Sequence, residues 1–423
     1  MIPYPQLDSD EFKKGSNMNR RDFIKFSTLA AVTPALSASA QEVPPDAKKA
    51  NSIFNIRPHV QLLNEDALAI VWVTHCNSTG YVTWSQDGWK TSSRAWDEED
   101  GLLSANGTIH RASVFGIDPS KPFEYKVHSR AFSHFGPYRV SYNGEEETIT
   151  GKMRAIAPGN KSVSWAMFND VHENLAVYDK FIAHLSDIDG FCVFNGDIIN
   201  HVDNANDVVE RLVEPFSRIS SKTSLPVWYL RGNHETRGAF ARNMRDFLAL
   251  KDGHYFGAAT LGGVRFVFLD CGEDKPDASK EYSGLVNFDR YIERQNKWLE
   301  KEVASPEWKT AKARVAVRHI PGPLTIPHGR GWKHGLKRLD RMDAILKDAG
   351  VSLAMGAHLH NWGFHAPIAN RPYPLIVGGG PSLGRPNGKS NATLVKCRFS
   401  GKKISVKLLA ETGEELLSEI IKV

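Results

Sequence analysis

Cysteine is scarce: four residues among 423, at Cys76, Cys192, Cys271 and Cys397, each far from the others. That spacing argues against a disulfide framework. Three of the four sit in apolar, strand-like runs such as Phe191-Cys192-Val193-Phe194, the setting of a buried free thiol. Long hydrophobic runs are lacking too. The stretch Phe26 to Leu36 is too short, and too rich in Ser, Thr and Ala, to span a bilayer, and no cysteine follows it to take a lipid anchor. No large excess of one charge exists either: the formal balance is +5, which gives no case for nucleic acid as a partner. Internal repeats are absent. With 41% apolar and 24% charged residues the chain can bury large cores, and its length points to two domains.

What is present starts with a targeting segment. Asn19-Arg20-Arg21-Asp22-Phe23-Ile24-Lys25 resembles a twin-arginine export signal, followed by the Phe26–Leu36 stretch and the small residues Ala38-Ser39-Ala40. Charged, apolar and small-residue regions in that order read as a cleavable signal. The expectation is a signal over residues 1–40, read by export machinery, with Met18 rather than Met1 as the start. The mature chain would be periplasmic or extracellular, without a membrane anchor. Residues 41–51, with Pro44-Pro45, have linker composition.

Residues 52–157 read as all-β. Ala67–Thr74 is densely β-branched, while Gly80–Trp84 and Phe123–Val127 alternate apolar with polar. Turn signals at Gln86-Asp87-Gly88 and Asp118-Pro119-Ser120 separate short strands, so a sandwich of immunoglobulin or fibronectin type is expected. The acidic run Asp97–Asp100 reads as a solvated turn. Residues 158–423 read as α/β. Strands at Val163–Phe168, Phe191–Asn195 and Val227–Leu230 alternate with helices over 174–185 and 204–220. That order predicts a largely parallel sheet with helices on both faces. A hairpin at Tyr255–Ala259 and Val264–Leu269 follows, with later strands at Arg314–Val317, Ser352–Met355, Leu375–Val377, Ala392–Phe399 and Ile404–Leu409.

The chemistry sits at the strand ends. Asp170-x-His172, Gly196-Asp197, Gly232-Asn233-His234-Glu235, His319 and His358-x-His360 come in that order, and ligands in α/β sheets gather beyond the carboxyl ends of strands. A carboxylate can bridge two cations. Imidazoles with carboxylate and amide oxygens suit Mn, Fe or Zn, and the donor count suits two divalent or trivalent ions.

Residues 160 to about 410 resemble the calcineurin-like metallophosphoesterases, and the preceding sandwich is similar to the arrangement in purple acid phosphatases. The family pattern is D-x-H, G-D, G-N-H-[DE], H and G-H-x-H, with Ala357 here before the first histidine of the last motif. The resemblance implies sheet layers flanked by helices. It implies one metal held by Asp170, His172 and His360, a second by Asn233, His319 and His358, and Asp197 bridging both. A bridging hydroxide would attack phosphorus in line, with His234 protonating the departing oxygen or binding a phosphoryl oxygen. Glu235 either orients His234 or points away. After Gly196-Asp197, where purple acid phosphatases carry a tyrosine ligand, this chain has Ile198-Ile199-Asn200, which implies a non-purple branch.

The expected activity is phosphomonoester hydrolysis on a phosphate-ester substrate. A phosphodiesterase on the same ligands and a scaffold with a silent site are the alternatives. The segment Pro321 to Gly335 reads as a basic loop, and His328, Arg330, Lys333 and His334 are candidates for the substrate side. Gly378-Gly379-Gly380 lacks the Lys-Ser/Thr of a phosphate loop and reads as a tight turn.

Overall fold

The structure, a computed structural model, describes residues 52–157, 162–324, 333–381 and 392–423, with residues 333–336 described by backbone alone. The expected signal (1–40), the linker (41–51), His328 and Arg330 lie outside the described residues. Among the described residues no helix is long and apolar enough to cross a membrane.

The N-terminal region is strand only. It comprises β1 (Phe54–Asn64), β2 (Ala67–Ser85), the short β3 (Ser93–Ala95), β4 (Glu98–Glu99) and β5 (Leu102–Leu103), then β6 (Ala105–Phe115), β7 (Phe123–Phe135) and β8 (Val140–Met153). Strand β2 changes partners along its length. Its first half pairs with β1 and β6, from Ser78 onward it pairs with β7, and from Val82 also with β3. In the acidic run Glu98, Glu99 and Asp100 are exposed around the β4–β5 hairpin, while Asp97 is half-buried and pairs with Arg111 at 3.2 Å.

Beyond it come β9 (Ser162–Phe168), α1 (Ala176–Ile182), β10 (Phe191–Asn195), α2 (Ala205–Val208), α3 (Glu214–Thr223) and β11 (Val227–Leu230). Then follow β12 (Gly257–Leu261), β13 (Val264–Leu269), α4 (Phe288–Ala304), α5 (Pro306–Thr310), β14 (Ala313–Arg318), α6 (Lys333–Asp348) and β15 (Leu353–Gly356). The chain closes with β16 (Gly363–His365), β17 (Leu375–Val377), β18 (Thr393–Ser400), β19 (Lys403–Ala410) and β20 (Glu415–Lys422). Two large sheets result. One runs β20-β19-β18-β9-β10-β11-β1-β2-β7-β8, so the N-terminal strands continue the sheet that holds β9, β10 and β11. The link is β1, antiparallel to β2 and parallel to β11. The other sheet runs β12-β13-β14-β15-β17-β16.

Strand alternation sorts the side chains into layers. In β9, Val163, Trp165 and Met167 join the core between the sheets, while Ala166 and Phe168 pack with Val177, Tyr178 and Phe181 of α1. In β13, Val264, Phe266 and Phe268 face inward, whereas Val267 and Leu269 pack with Ile292 and Leu299 of α4 and Leu339 and Met342 of α6. Trp165 meets Phe266 edge-on at 5.0 Å, and Trp228 stacks on Phe268 at 4.0 Å, which joins the two sheets face to face. Helices therefore cover one face of each sheet and the other sheet covers the second. Sheet layers flanked by helices are thus what the chain forms, and only the narrower reading of the alternation, one sheet with helices on both faces, is corrected here. An apolar strand shows that both its faces are buried and does not say by what.

The sequence reading also missed β16, β20, α4, α5 and α6. Helix α4 is capped by Asn287, whose side chain accepts from Arg290 N, and buries Phe288, Ile292, Gln295, Asn296 and Leu299 at helical spacing. The basic stretch expected as loop to Gly335 is helical from Lys333.

Candidate metal centre

Six strand ends meet between the sheets. Asp170 and His172 follow β9, Asp197 follows β10, and Asn233 and His234 follow β11; His319 follows β14, His358 and His360 follow β15, and Gly378–Gly380 follow β17. Left-handed backbone aims several of these side chains. Positive φ occurs at Asp170 (46°), His172 (47°), Asp197 (51°), His358 (70°) and His360 (54°). Each such residue costs about 1 kcal/mol or more, and such strain clusters at functional sites. Ala357 has no positive φ, so its methyl fits where a glycine is usual.

Backbone N–H groups hold the turns in register. His358 N donates to both oxygens of Asp170 (3.1 and 2.9 Å), and His234 N donates to Asp197 Oδ1 (3.0 Å). Glu235 is fully buried and does not orient His234. Its Oε2 accepts from the N–H of Asp197 (3.0 Å) and Gly232 (2.9 Å), and its Oε1 from Ile198 (2.6 Å) and Ile199 (3.3 Å). One carboxylate thus ties the second and third motifs together. Gly196 and Gly232 touch at that seam: a Cβ on Gly196 would lie 2.5 Å from Gly232 Cα and 2.6 Å from His319 Nδ1.

The ring tautomers follow from the acceptors at Nδ1. His360 Nδ1–H donates to the Pro381 carbonyl (2.8 Å), His319 Nδ1–H to the Asn195 carbonyl (2.7 Å), and His172 Nδ1–H to Asn200 Oδ1 (2.7 Å). In the neutral rings all three Nε2 atoms then present lone pairs, and without a cation the Asp197 carboxylate keeps a proton on His319 Nε2. His172 Nε2 lies 3.1 Å from His360 Nε2, and His319 Nε2 lies 3.1 Å from Asp197 Oδ2. Acceptors facing acceptors repel unless a proton or cation stands between them. Asn233 Oδ1 is buried with no hydrogen-bond partner among the described residues. Both observations fit metal ions.

Three triads have ligand atoms within 4.8 Å of one another: Asp170/His172/His360, His172/Asp197/His234 and Asp197/His319/His358. Asp197 belongs to two of them. Burial pushes its carboxyl up, but His319, His234 and His358 together hold it well below the usual carboxylate range. Burial pulls His319 down, and the Asp197 carboxylate more than offsets this, raising it to about 10. Burial lowers His234 despite Asp197, with Arg237 acting in the same direction as burial.

The structure thus brings together Asp170, His172, Asp197, Asn233, His234, His319, His358 and His360. Lys333 and His334 are the first residues of α6. Several contributors escaped sequence reading. Asn200 holds the His172 ring and lies three residues after Asp197, a proximity that could have flagged it. Asn169 Nδ2 donates to Asp170 Oδ2 (2.8 Å) and the Gly379 carbonyl (3.1 Å). Arg237 Nη1 donates to His234 Nε2 at 3.2 Å. The triple glycine is a close approach: a Cβ on Gly380 would lie 2.5 Å from Asp170 Cβ.

Fold and site together define a metal-dependent phosphoesterase. Residues 166–362 match the model of the Calcineurin-like phosphoesterase family. Among solved structures, the fold is similar to purple acid phosphatase PPD1 from yellow lupin (Lupinus luteus) seeds, at 14% identity over 88% of this chain and 75% of that one, with a TM-score of 0.65. It is also similar to PhoD, at 11% identity over 87% and 89% of the two chains, with a TM-score of 0.59. No curated protein matches by sequence.

Proposed function

We propose that the chain is a dinuclear-metal phosphomonoesterase in which Asp170, His172 and His360 hold one ion, Asn233, His319 and His358 hold the other, and Asp197 bridges them. The observation that carries this reading is Asp197, whose Oδ2 lies 3.9 Å from His172 Nε2 and 3.1 Å from His319 Nε2, between the two histidine groups. The donor set of imidazoles, carboxylates and one amide suits Mn, Fe or Zn. Bound there, the ions would lower the pKa of a water and offset charge on phosphoryl oxygens.

The chain's own residues do the positioning. Asn200, Pro381 and the Asn195 carbonyl fix which nitrogen of His172, His360 and His319 faces inward. His234 donates Nδ1–H to the Asn200 carbonyl (2.9 Å), which leaves Nε2 on the reacting side, 4.0 Å from Asp197 Oδ2. With its pKa lowered, this ring is neutral at pH 7. It must therefore take up a proton before giving one to a departing oxygen. Arg330, Lys333 and His334 follow His319 closely in sequence, which supports a place on the substrate side. The Arg20-Arg21 segment supports export, which fractionation of cells making the full-length chain would test.

The test is to measure bound metal and hydrolysis of p-nitrophenyl phosphate and bis-p-nitrophenyl phosphate with and without chelator. Asp197→Asn is expected to lose metal and to lower kcat by about three orders of magnitude or more, since a two-metal site needs its shared carboxylate. Full activity in that variant, or in chelated enzyme, would remove the metal mechanism.

A further inference from the structure

Beside His234 stands a clamp that the ligand set does not use. Glu273 is fully buried just beyond β13. It accepts from Arg237 Nε (2.9 Å) and Nη2 (3.0 Å), from the Tyr282 hydroxyl (2.5 Å) and from Asp274 N (2.9 Å). The Tyr282 oxygen also lies against the Thr236 hydroxyl, which donates to the Asn233 carbonyl at 2.7 Å. The clamp is therefore tied to the turn that carries Asn233. Two parallel N–H···O bonds fix the guanidinium plane. The Nη1 end is left on the side of His234, 3.2 Å from its Nε2, and the Arg237 side chain keeps 18% of its exposure. One Nη1 proton serves His234, and Nη1 carries a second.

A structural ion pair would gain little from being built this way. A buried Arg–Glu pair costs desolvation that apolar residues avoid, and here the charged end stays open toward the reacting side. A phosphomonoester carries three non-bridging oxygens and a diester two. If two lie on the ion side, only the monoester has one left for the wall formed by His234 and Arg237.

Resting on the phosphoesterase reading, we propose that Arg237, braced by Glu273, binds the third non-bridging oxygen and so selects monoesters over diesters. Glu273 is then a positioning residue.

The experiment compares the wild type with Arg237→Lys, Glu273→Gln and the double variant R237M/E273Q, which removes both charges and strands neither. Metal content is checked first. Readouts are KM and kcat on p-nitrophenyl phosphate and bis-p-nitrophenyl phosphate, and orthophosphate binding by calorimetry. The double variant is expected to weaken orthophosphate binding and raise the monoester KM about 10- to 100-fold, the worth of a charge-assisted hydrogen bond, with the diester KM within about twofold. Glu273→Gln should fall between. Lysine cannot span Glu273 and a phosphoryl oxygen at once, so Arg237→Lys should also bind orthophosphate more weakly. If the double variant fails to fold, that comparison alone decides. Equal losses on both esters, or unchanged orthophosphate binding in Arg237→Lys, would overturn the assignment. A metal-loaded wild type inactive on both esters would instead overturn the phosphoesterase reading, while orthophosphate affinity still reports on Arg237.

Discussion

Glu235 is the residue whose loss should do the most damage without touching a metal. Its two oxygens accept four backbone N–H groups, two on each side, from Asp197, Gly232, Ile198 and Ile199. Glu235→Gln keeps one oxygen and turns an NH2 toward the other pair of donors, so two buried N–H groups lose their acceptor. At about 1–3 kcal/mol for each stranded group, the cost is about 2–6 kcal/mol. Part of that falls on Asp197, whose own N–H is among those held. Urea unfolding should register the lost stability, and competition with a coloured chelator should show metal affinity about 10- to 100-fold weaker, as for other groups behind a metal ligand. Glu235→Ala should be worse on both counts. A glutamine variant within about 0.5 kcal/mol of wild type, with metal affinity intact, would refute the role of this carboxylate.

Two other perturbations follow from the geometry. Gly380→Ala would place a methyl 2.5 Å from Asp170 Cβ and 3.1 Å from His360 Nδ1, so it should cost about 1–3 kcal/mol and weaken metal binding; calorimetry of metal uptake checks it, and unchanged uptake would mean the loop simply shifts. His59 in β1 is fully buried against Phe216, and burial lowers its pKa from 6.5 to about 4. The unfolded chain therefore binds the proton first, so stability is full above about pH 6.5 and falls as pH drops toward 4, by about 3 kcal/mol. His59→Phe should flatten that loss in urea melts at pH 7 and pH 4.5, and parallel curves for variant and wild type would sink the explanation.

The parts of this molecule that were legible in sequence are those set by local rules. Trp165, Met167 and their neighbours alternate along β9, and Asp170-x-His172 and His358-x-His360 stand at strand ends, so element type and the list of converging residues could be read directly. What pairs distant segments could not. Trp228 stacking on Phe268 brings two sheets face to face, and nothing local to either strand names the partner. Asn200 and Arg237 act on His172 and His234 through side-chain contacts, and the brace on Arg237 comes from Glu273, 36 residues away. Glu235 has the residue type its motif demands, yet its partners are backbone groups, which carry no signature of their own.

The left-handed turns at Asp170, His172, Asp197, His358 and His360 carry a consequence for how this protein ages. A chain selected only for durability would settle glycine at each of them and erase the donors. Keeping aspartate and histidine there leaves the empty scaffold under tension, and ion capture becomes part of what keeps it shut. Ions bound there would relieve that tension and add to the free energy of the fold, so a chelator would lower the unfolding temperature.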